Sequence, residues 1–356
     1  MFVAWRDLRF ARGRFVLIGS VVALITVLVG FLSGLTAGLA SQNISAILSV
    51  PADQIVFSAP AAGSAGASFS DSAITKAQAG QWSSAAGVKS AEPIGISQTR
   101  AEAGRTRVPV ALFGVNPGFD STSPAHDGEL GLSESAAKQL DVVAGAKVTI
   151  AGSEYTVARV GGDWWYSHTP VVQLTLHDWQ AYSAATGNPN SYATVLAVTG
   201  NPDWSAANAA VGTISQPVLG SLTAIGAFRS EIGSLLLMVA MLFGISALVI
   251  GAFFTVWTMQ RKGDIAVLKA LGASTRSLIR DALGQALVVL LIGVGVGIGV
   301  VALLGTLAGS ALPFVLSPLT TALPAAIMIA LGLAGAVFAL RSVTTADPLT
   351  ALGSNR

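Results

Sequence analysis

The sequence predicts an α-helical membrane protein: four transmembrane helices, with an α+β extracellular domain inserted between helices 1 and 2. Three observations carry this. Of 356 residues, 52% are hydrophobic and only 11% charged, against about 25% charged in an ordinary soluble chain. Four apolar stretches are long enough to cross about 30 Å of hydrocarbon. Charge is also partitioned along the chain. The segments 1–14, 258–281 and 341–356 hold 11 Lys/Arg against 4 Asp/Glu, whereas 41–228 holds 8 against 13. Positive charge in short loops marks the inner side. Both termini and the loop after the second helix are therefore expected in the cytoplasm of a plasma-membrane protein, and 41–228 outside.

The elements follow in order. Residues 1–14 read as a cytoplasmic amphipathic helix, with Phe2, Trp5 and Phe10 at the lipid interface and Arg6, Arg9, Arg12 and Arg14 among headgroups. Residues 15–40 form the first span. Ala37-Gly38-Leu39-Ala40 imitates a signal-cleavage site, but the apolar run exceeds the 7–15 residues of a signal core, so it is read as an uncleaved anchor. Residues 41–228 form the outer domain. Alternation and β-branched content predict strands at Gln54–Ser58, Arg107–Gly114, Lys147–Ala151, Tyr155–Val160, Val171–Thr175 and Ala193–Thr199. Ser133–Leu140 reads as a helix capped by Ser133. Pro60–Ser70 and Gly187–Asn190 read as loop and turn. Ala207–Ile214 and Leu219–Phe228 are expected to be helical, the latter continuous with the second span as a stalk.

Residues 229–258 form the second span, 259–281 a cytoplasmic loop and 282–307 the third span. Residues 308–321 are an outer loop, 322–340 the fourth span with Pro324 in its first turn, and 341–356 a cytoplasmic tail. There is no internal repeat of the kind secondary transporters carry.

Catalytic chemistry is poorly provided for. With no Cys, disulfides, Cys-based zinc sites and thiol catalysis are excluded. His126, His168 and His177 show no metal-binding spacing and read as polar loop residues; His177 and Asp178 would face opposite ways on a strand. No nucleophile elbow or phosphate-binding loop is present, so the chain is expected to be no enzyme and to hydrolyse no ATP. No single basic surface suggests nucleic acid.

Within the membrane, Gly30, Gly34 and Gly38 form a double G-x-x-x-G on the first helix. Such faces let helices approach closely, and this one is expected to be the seam of a homodimer. Gly293/Gly297, Gly295/Gly299 and Gly305/Gly309 on the third helix are expected to pack within the chain. Trp164-Trp165-Tyr166 reads as a strand end with one or two rings in the domain core, or as an aromatic edge that rests on the outer leaflet or guards the substrate exit.

Arg229 and Glu231 stand at the outer end of the second span, beside a nearly unbroken apolar run. One reading makes Ser230 the helix cap and Glu231 a first-turn acid favoured by the dipole, with Arg229 reaching headgroups. The other makes them the polar groups of a substrate cavity opening to the outer leaflet. Phe228, Ile232, Leu235 and Met238 on the second helix, and Leu32, Leu35 and Thr36 on the first, would line it.

The segment Arg261–Arg280 is basic and amphipathic, lodged between two spans. Ile265, Leu268 and Leu271, with Ala266 and Ala270, form one apolar face and Arg261, Lys262 and Lys269 the charge. A helix held there suits docking to a soluble cytoplasmic partner.

This segment carries a family likeness. Lys262, Gly263 and Asp264, then Ile265, Leu268, Lys269, Ala270, Leu271, Gly272 and Ala273, trace an I-x-x-L-K-A-L-G-A core after a basic-acidic start. Asp347-Pro348-Leu349-Thr350-Ala351-Leu352 closes the chain as a P-x-x-A-L element. Both resemble the MacB/FtsX-type ABC transporter permeases, except that Asp264 stands where the family usually has Glu. The order Gly131–Ala137, Gly145–Ile150, Tyr155–Val160 is similar to that family's outer core domain.

The resemblance implies a homodimer in membrane lipid. A separate cytoplasmic ABC ATPase would bind ATP and dock through Lys262, Asp264, Ile265, Leu268, Lys269, Leu271 and Gly272. The chain is also similar to the short, four-helix haem-efflux members of the family. That implies no intrinsic cofactor but haem as the transported ligand, with Glu231 on the iron and Arg229 on a propionate. Competing readings are an FtsX-like signalling scaffold that transports nothing, and an exporter of lipoproteins or antimicrobial peptides.

Overall fold

The computed structural model describes residues 12–60, 66–260, 263, 267, 271–272, 274–309 and 312–344. The amphipathic helix expected before residue 12 and the closing element at 347–352 lie outside them. The chain divides into two compact units, residues 39–233 and the remainder.

The second unit is helical. It holds the greater part of α1 (Arg12–Leu48), most of α7 (Gly226–Gln260), α8 (Thr275–Ala308) and α9 (Pro318–Thr344). All four helices are long and apolar enough to cross a membrane. Their shared core includes Ile18, Val22, Val29, Ile250, Phe254, Leu290, Val294 and Met328. Without a hydrophobic drive between helices in lipid, close backbone approach must hold them together. Glycines supply it. A side chain at Gly293 or Gly297 would meet Val22, Thr26 and carbonyls of α1, and Gly335 lies against Gly251 backbone.

Three expectations for this unit change. Gly30, Gly34 and Gly38 do form a packing face, but the chain fills it itself. Gly30 faces Val301 of α8, Gly34 faces the ring of Phe314, and Gly38 faces the Pro313 carbonyl. Phe314 wedges between Gly34 and Gly305 and stacks on Phe31 at 5.1 Å. Gly295 and Gly299 meet nothing, and Gly309 meets only its own helix. Finally, the fourth helix starts at Pro318, not near Pro324. Ser317 and Thr320 cap it reciprocally, each backbone N–H donating to the other's hydroxyl at 2.9–3.2 Å. Pro318 takes the first-turn position and Pro324 falls inside the helix.

The inserted unit is built on ten strands: β1 (Gln54–Ser58), β2 (Val88–Ala103), β3 (Thr106–Val115), β4 (Glu129–Leu132), β5 (Lys147–Ile150), β6 (Ser153–Val160), β7 (Trp165–Tyr166), β8 (Thr169–Thr175), β9 (Val195–Gly200) and β10 (Thr213–Pro217). Helices α2 (Lys76–Ser83), α3 (Glu134–Leu140), α4 (Leu176–Ala185), α5 (Trp204–Val211) and α6 (Val218–Ser221) are interspersed. The strand order is β10-β1-β9-β2-β3-β8-β4-β6-β5, β5 pairs back to β2, and β7 pairs with β8.

Strand β2 organises this fold. Val88–Ile94 pairs with β9, and Gly95–Ala103 pairs with β3. The change of neighbour falls at Gly95, which lies opposite Gly114. Side chains at either position would strike Trp179. Two facing glycines thus make the slot for a buried indole, whose Nε1 donates to Ser97 Oγ at 3.0 Å. Pro93 and Gly95 also explain why β2 does not read as a strand: both weaken the alternating pattern.

Other differences have local causes. The first helix runs on to Leu48, since nothing between 41 and 48 breaks it and Pro51 follows. Ala46 and Ile47 join the domain core. The helix expected over Ala207–Ile214 stops at Val211 because Gly212 turns left-handed (φ 68°), and Thr213 starts a strand paired with β1. The stalk expected over Leu219–Phe228 is broken: a 3-10 turn at Leu222–Ala224 ends in extended Ile225, and α7 starts afresh at Gly226. The strand at Gln54–Ser58 and the Ser133 cap agree with the sequence, and the other expected strands end within two residues of the observed ones. Of the aromatic trio, Tyr166 is buried against Phe69 and Phe113.

Candidate functional site

Glu231 lies beyond the first turn of α7, and Ser230 is not its cap, since the Ser230 hydroxyl donates to the Ala227 carbonyl. The helix-dipole explanation for this acid therefore fails. Its carboxylate is instead held by two residues distant in sequence. Asn43 Nδ2 donates to Oε2 at 3.1 Å. His168 Nε2 lies 2.9 Å from Oε2 and 3.0 Å from Oε1. Asn43 Nδ2 and His168 Nε2 are themselves 3.0 Å apart. All three residues belong to the inserted unit.

Each is fixed by its element. Asn43 lies on the extension of α1, 1% exposed, with its Oδ1 unpartnered. His168 occupies a two-residue turn joining β7 to β8, in which Ser167 (φ 48°) and His168 (φ 65°) are both left-handed. Hairpins of this length favour such a turn but fill it with Asn-Gly or Gly. A bulky residue there is strained, a state found where surroundings over-determine it. Here they do. Ser167 N donates to Asn43 O at 3.1 Å, His168 N donates to Gln42 O at 2.9 Å, and Trp165 N donates to Ser45 Oγ at 2.8 Å. The strained turn thus delivers an imidazole to Glu231, while the His168 and Glu231 side chains keep 33% and 39% of their surface exposed.

The expected slot is only partly assembled. Residues two apart on a helix diverge by about 200°, so Arg229 points away from Glu231. Arg229 is exposed and has no ion pair among the described residues. At helical spacing, Phe228, Leu235 and Met238 share the Glu231 face, whereas Ile232 is turned aside. Phe228 packs partly into the domain core, Leu235 is partly exposed, and Met238 is 52% exposed. Leu32 and Leu35 are partly exposed, and Thr36 is buried in the helical unit with its hydroxyl unpartnered.

Of the docking residues expected in the 259–281 loop, Lys262, Asp264, Ile265, Leu268 and Lys269 lie outside the described residues. Val267 is helical, and Leu271 N bonds its carbonyl at 3.0 Å. Leu271 is 79% exposed, and Gly272 (φ 95°) ends the turn left-handed.

The other histidines are surface residues with one exception to the sequence reading. His177 and Asp178 are not on a strand but open α4, and His177 Nδ1 pairs with Asp127 at 2.9 Å. The ligand atoms of Asp127, His177 and Asp178 lie within 4.8 Å of one another. The carboxylates are already engaged, Asp178 by Gly128 N at 2.7 Å and Asp127 by the Thr175 hydroxyl.

Sequence reasoning found Glu231 but missed both partners. His168 left one signal: a Ser-His pair between two strand-like runs, where a tight turn is required. Asn43 left another, as a polar residue on a helix that no breaker stops. Their meeting with residue 231 depends on tertiary packing.

Comparison with known proteins now bears on this arrangement. Residues 236–348 match the family described as FtsX-like permease C-terminal. A protein of Staphylococcus haemolyticus named as hemin transport system permease protein HrtB is 26% identical over 99% of each chain. Its namesake in Staphylococcus epidermidis is 24% identical over the full length of both. An uncharacterised ABC transporter permease of Mycobacterium tuberculosis is 27% identical over 99% of each. Among solved structures, the periplasmic region of MacB from Actinobacillus actinomycetemcomitans has a TM-score of 0.36 and 13% identity, covering 49% of this chain and 94% of that one. The extracellular domain of the transporter YknZ from Gram-positive bacteria has a TM-score of 0.32 and 12% identity, covering 48% and 92%. Residues 236–348 thus resemble the FtsX-like permease C-terminal region, and the chain is similar along its whole length to permeases of ABC transporters.

Proposed function

We propose that the chain is the membrane subunit of a homodimeric ABC-type efflux pump that removes haem from the membrane, driven by ATP hydrolysed on a separate subunit. The observation that carries this reading is the Glu231 carboxylate. It is half-exposed, fixed by Asn43 and His168, and heads the helix face of Leu235 and Met238. A carboxylate above an apolar stripe suits a flat amphiphile with an iron centre: the rings lie on the aliphatic side chains and an oxygen takes the metal. Relatives that match along the whole chain bear the name of hemin transport permeases, which favours haem over other amphiphiles.

In this reading the cytoplasmic loop after α7 receives the ATPase. Exposed Leu271, with Val267 one turn before it, offers the apolar contact. Four helices are too few to enclose a path, so two copies act together. They do not meet through Gly30, Gly34 and Gly38, whose face the chain itself occupies. The outer domain faces the cell exterior and both termini the cytoplasm of a plasma-membrane protein, in keeping with the basic segments.

The test is a hemin titration of the purified full-length chain, read by visible absorbance, beside Glu231→Ala. A saturable Soret shift that the substitution abolishes or alters is the expected result. An unaltered shift would move the iron ligand elsewhere. No saturable binding to either protein would remove haem and favour the FtsX-like scaffold or a lipoprotein or peptide exporter.

A further inference from the structure

We propose that His168 is a latch over Glu231: it closes the carboxylate while no ligand is bound, and it must swing aside before a ligand takes that group. The inference rests on the reading of Glu231 as the ligand-binding carboxylate. An ionised carboxylate accepts hydrogen bonds and cannot donate. His168 Nε2 and Asn43 Nδ2 therefore both donate to it. They converge on Oε2 at 2.9 and 3.1 Å, and Nε2 also stands 3.0 Å from Oε1. Convergence on one oxygen is why the two nitrogens lie 3.0 Å apart. The other Asn43 amide hydrogen goes to the Leu39 carbonyl at 3.3 Å. Among the described residues, only His168 hydrogen-bonds Oε1.

The two donors differ in freedom. Asn43 is buried on the extension of α1, with its amide tied in two directions, so it is a fixed support. His168 keeps a third of its side-chain surface exposed and hangs from a two-residue turn. That turn is held by bonds that do not involve the imidazole. Ser167 N and His168 N donate to the Asn43 and Gln42 carbonyls, and Gln98 Nε2 donates to the Thr169 hydroxyl at 3.2 Å. The imidazole can therefore change rotamer and clear Oε1 without unmaking the turn, while Asn43 keeps its hold on Oε2. A contact this exposed is weak enough to open, and an incoming ligand gives up about two- to fivefold in affinity to open it. Once Glu231 is occupied, the β7–β8 hairpin loses its side-chain tie to α7. Filling of the site is thereby passed to the inserted domain.

The experiment titrates hemin into the full-length chain in detergent, beside His168→Gly. Glycine suits the left-handed backbone at 168, so the turn stays folded without its latch. The variant should bind hemin about two- to fivefold more tightly, with the visible spectrum of the bound haem unchanged, because the iron ligand is still Glu231. Equal or weaker affinity, or a spectrum that loses a nitrogen ligand, overturns the proposal, since the imidazole would then be holding the ligand rather than excluding it. A second readout needs no haem: the rate at which dicyclohexylcarbodiimide couples to Glu231, followed by peptide mass. Coupling should be faster in His168→Gly, and an unchanged rate overturns the latch. If neither protein binds hemin, the haem reading falls by itself and the coupling rate alone decides the latch.

Discussion

Placing one methyl group at Gly38 should distinguish a helix face packed within the chain from one packed between copies. An ideal Cβ at this position would stand 1.8 Å from the Pro313 carbonyl oxygen and 2.4 Å from its carbon. Carbon and carbonyl oxygen normally approach no closer than about 3.3 Å, so the backbone must retreat by about 1.5 Å. The obstacle is main chain and cannot rotate away. Overpacking of this kind costs about 1–3 kcal/mol, and alanine returns up to about 1 kcal/mol of helix propensity. Gly38→Ala should therefore lose up to about 2 kcal/mol net. Gly30→Ala meets only a Val301 methyl at 3.0 Å and should fall near zero. Gly19→Ala meets nothing and should be neutral or slightly stabilising. The assay is SDS or thermal unfolding in detergent followed by tryptophan fluorescence, with oligomer mass from light scattering. The order Gly38 worst, Gly30 intermediate, Gly19 mildest, at unchanged mass, is expected. If Gly38→Ala keeps full stability but drops to a monomer, the glycine face is a seam between copies and the packing argument is wrong.

Two further outcomes follow from the structure. Leu271→Asp should leave folding and hemin binding unchanged but abolish stimulation of the partner ATPase in a reconstituted pair; undiminished stimulation would place the docking surface elsewhere. Burial acts to raise the Asp120 carboxyl, but hydrogen bonds from Gln173, Thr122 and Ser123 outweigh it and hold it below the usual aspartate value. A lowered folded-state value adds stability above about pH 4 that is lost as pH falls through it. Asp120→Asn should cost about 1 kcal/mol at neutral pH and progressively less below pH 4, which paired melting curves would reveal; a constant difference would refute it.

The sequence by itself announced four helices long and apolar enough to cross a membrane. Apolar runs of about 25 residues admit hardly any other environment, and the split of charge separates the domain at 41–228 from the basic loops. Local chemistry was equally plain where a single segment decides it, as in Ser133 capping its helix or Gln54–Ser58 forming a strand. Strand β2 was hidden because Pro93 and Gly95 serve a distant residue, Trp179, rather than the strand's own pattern. Glu231 was visible as an acid beside apolar helix, yet its partners were not. Asn43 and His168 are separated from it by 188 and 63 positions, and no local periodicity encodes such a meeting. The glycines of α1 carried half their message: spacing shows that something packs closely, and only the position of Phe314 and Pro313 shows what. Periodicity reports which face of an element is special, because that is set by bonds within a few residues. The identity of what meets that face is set by how the whole chain closes on itself, and only the tertiary structure decided it.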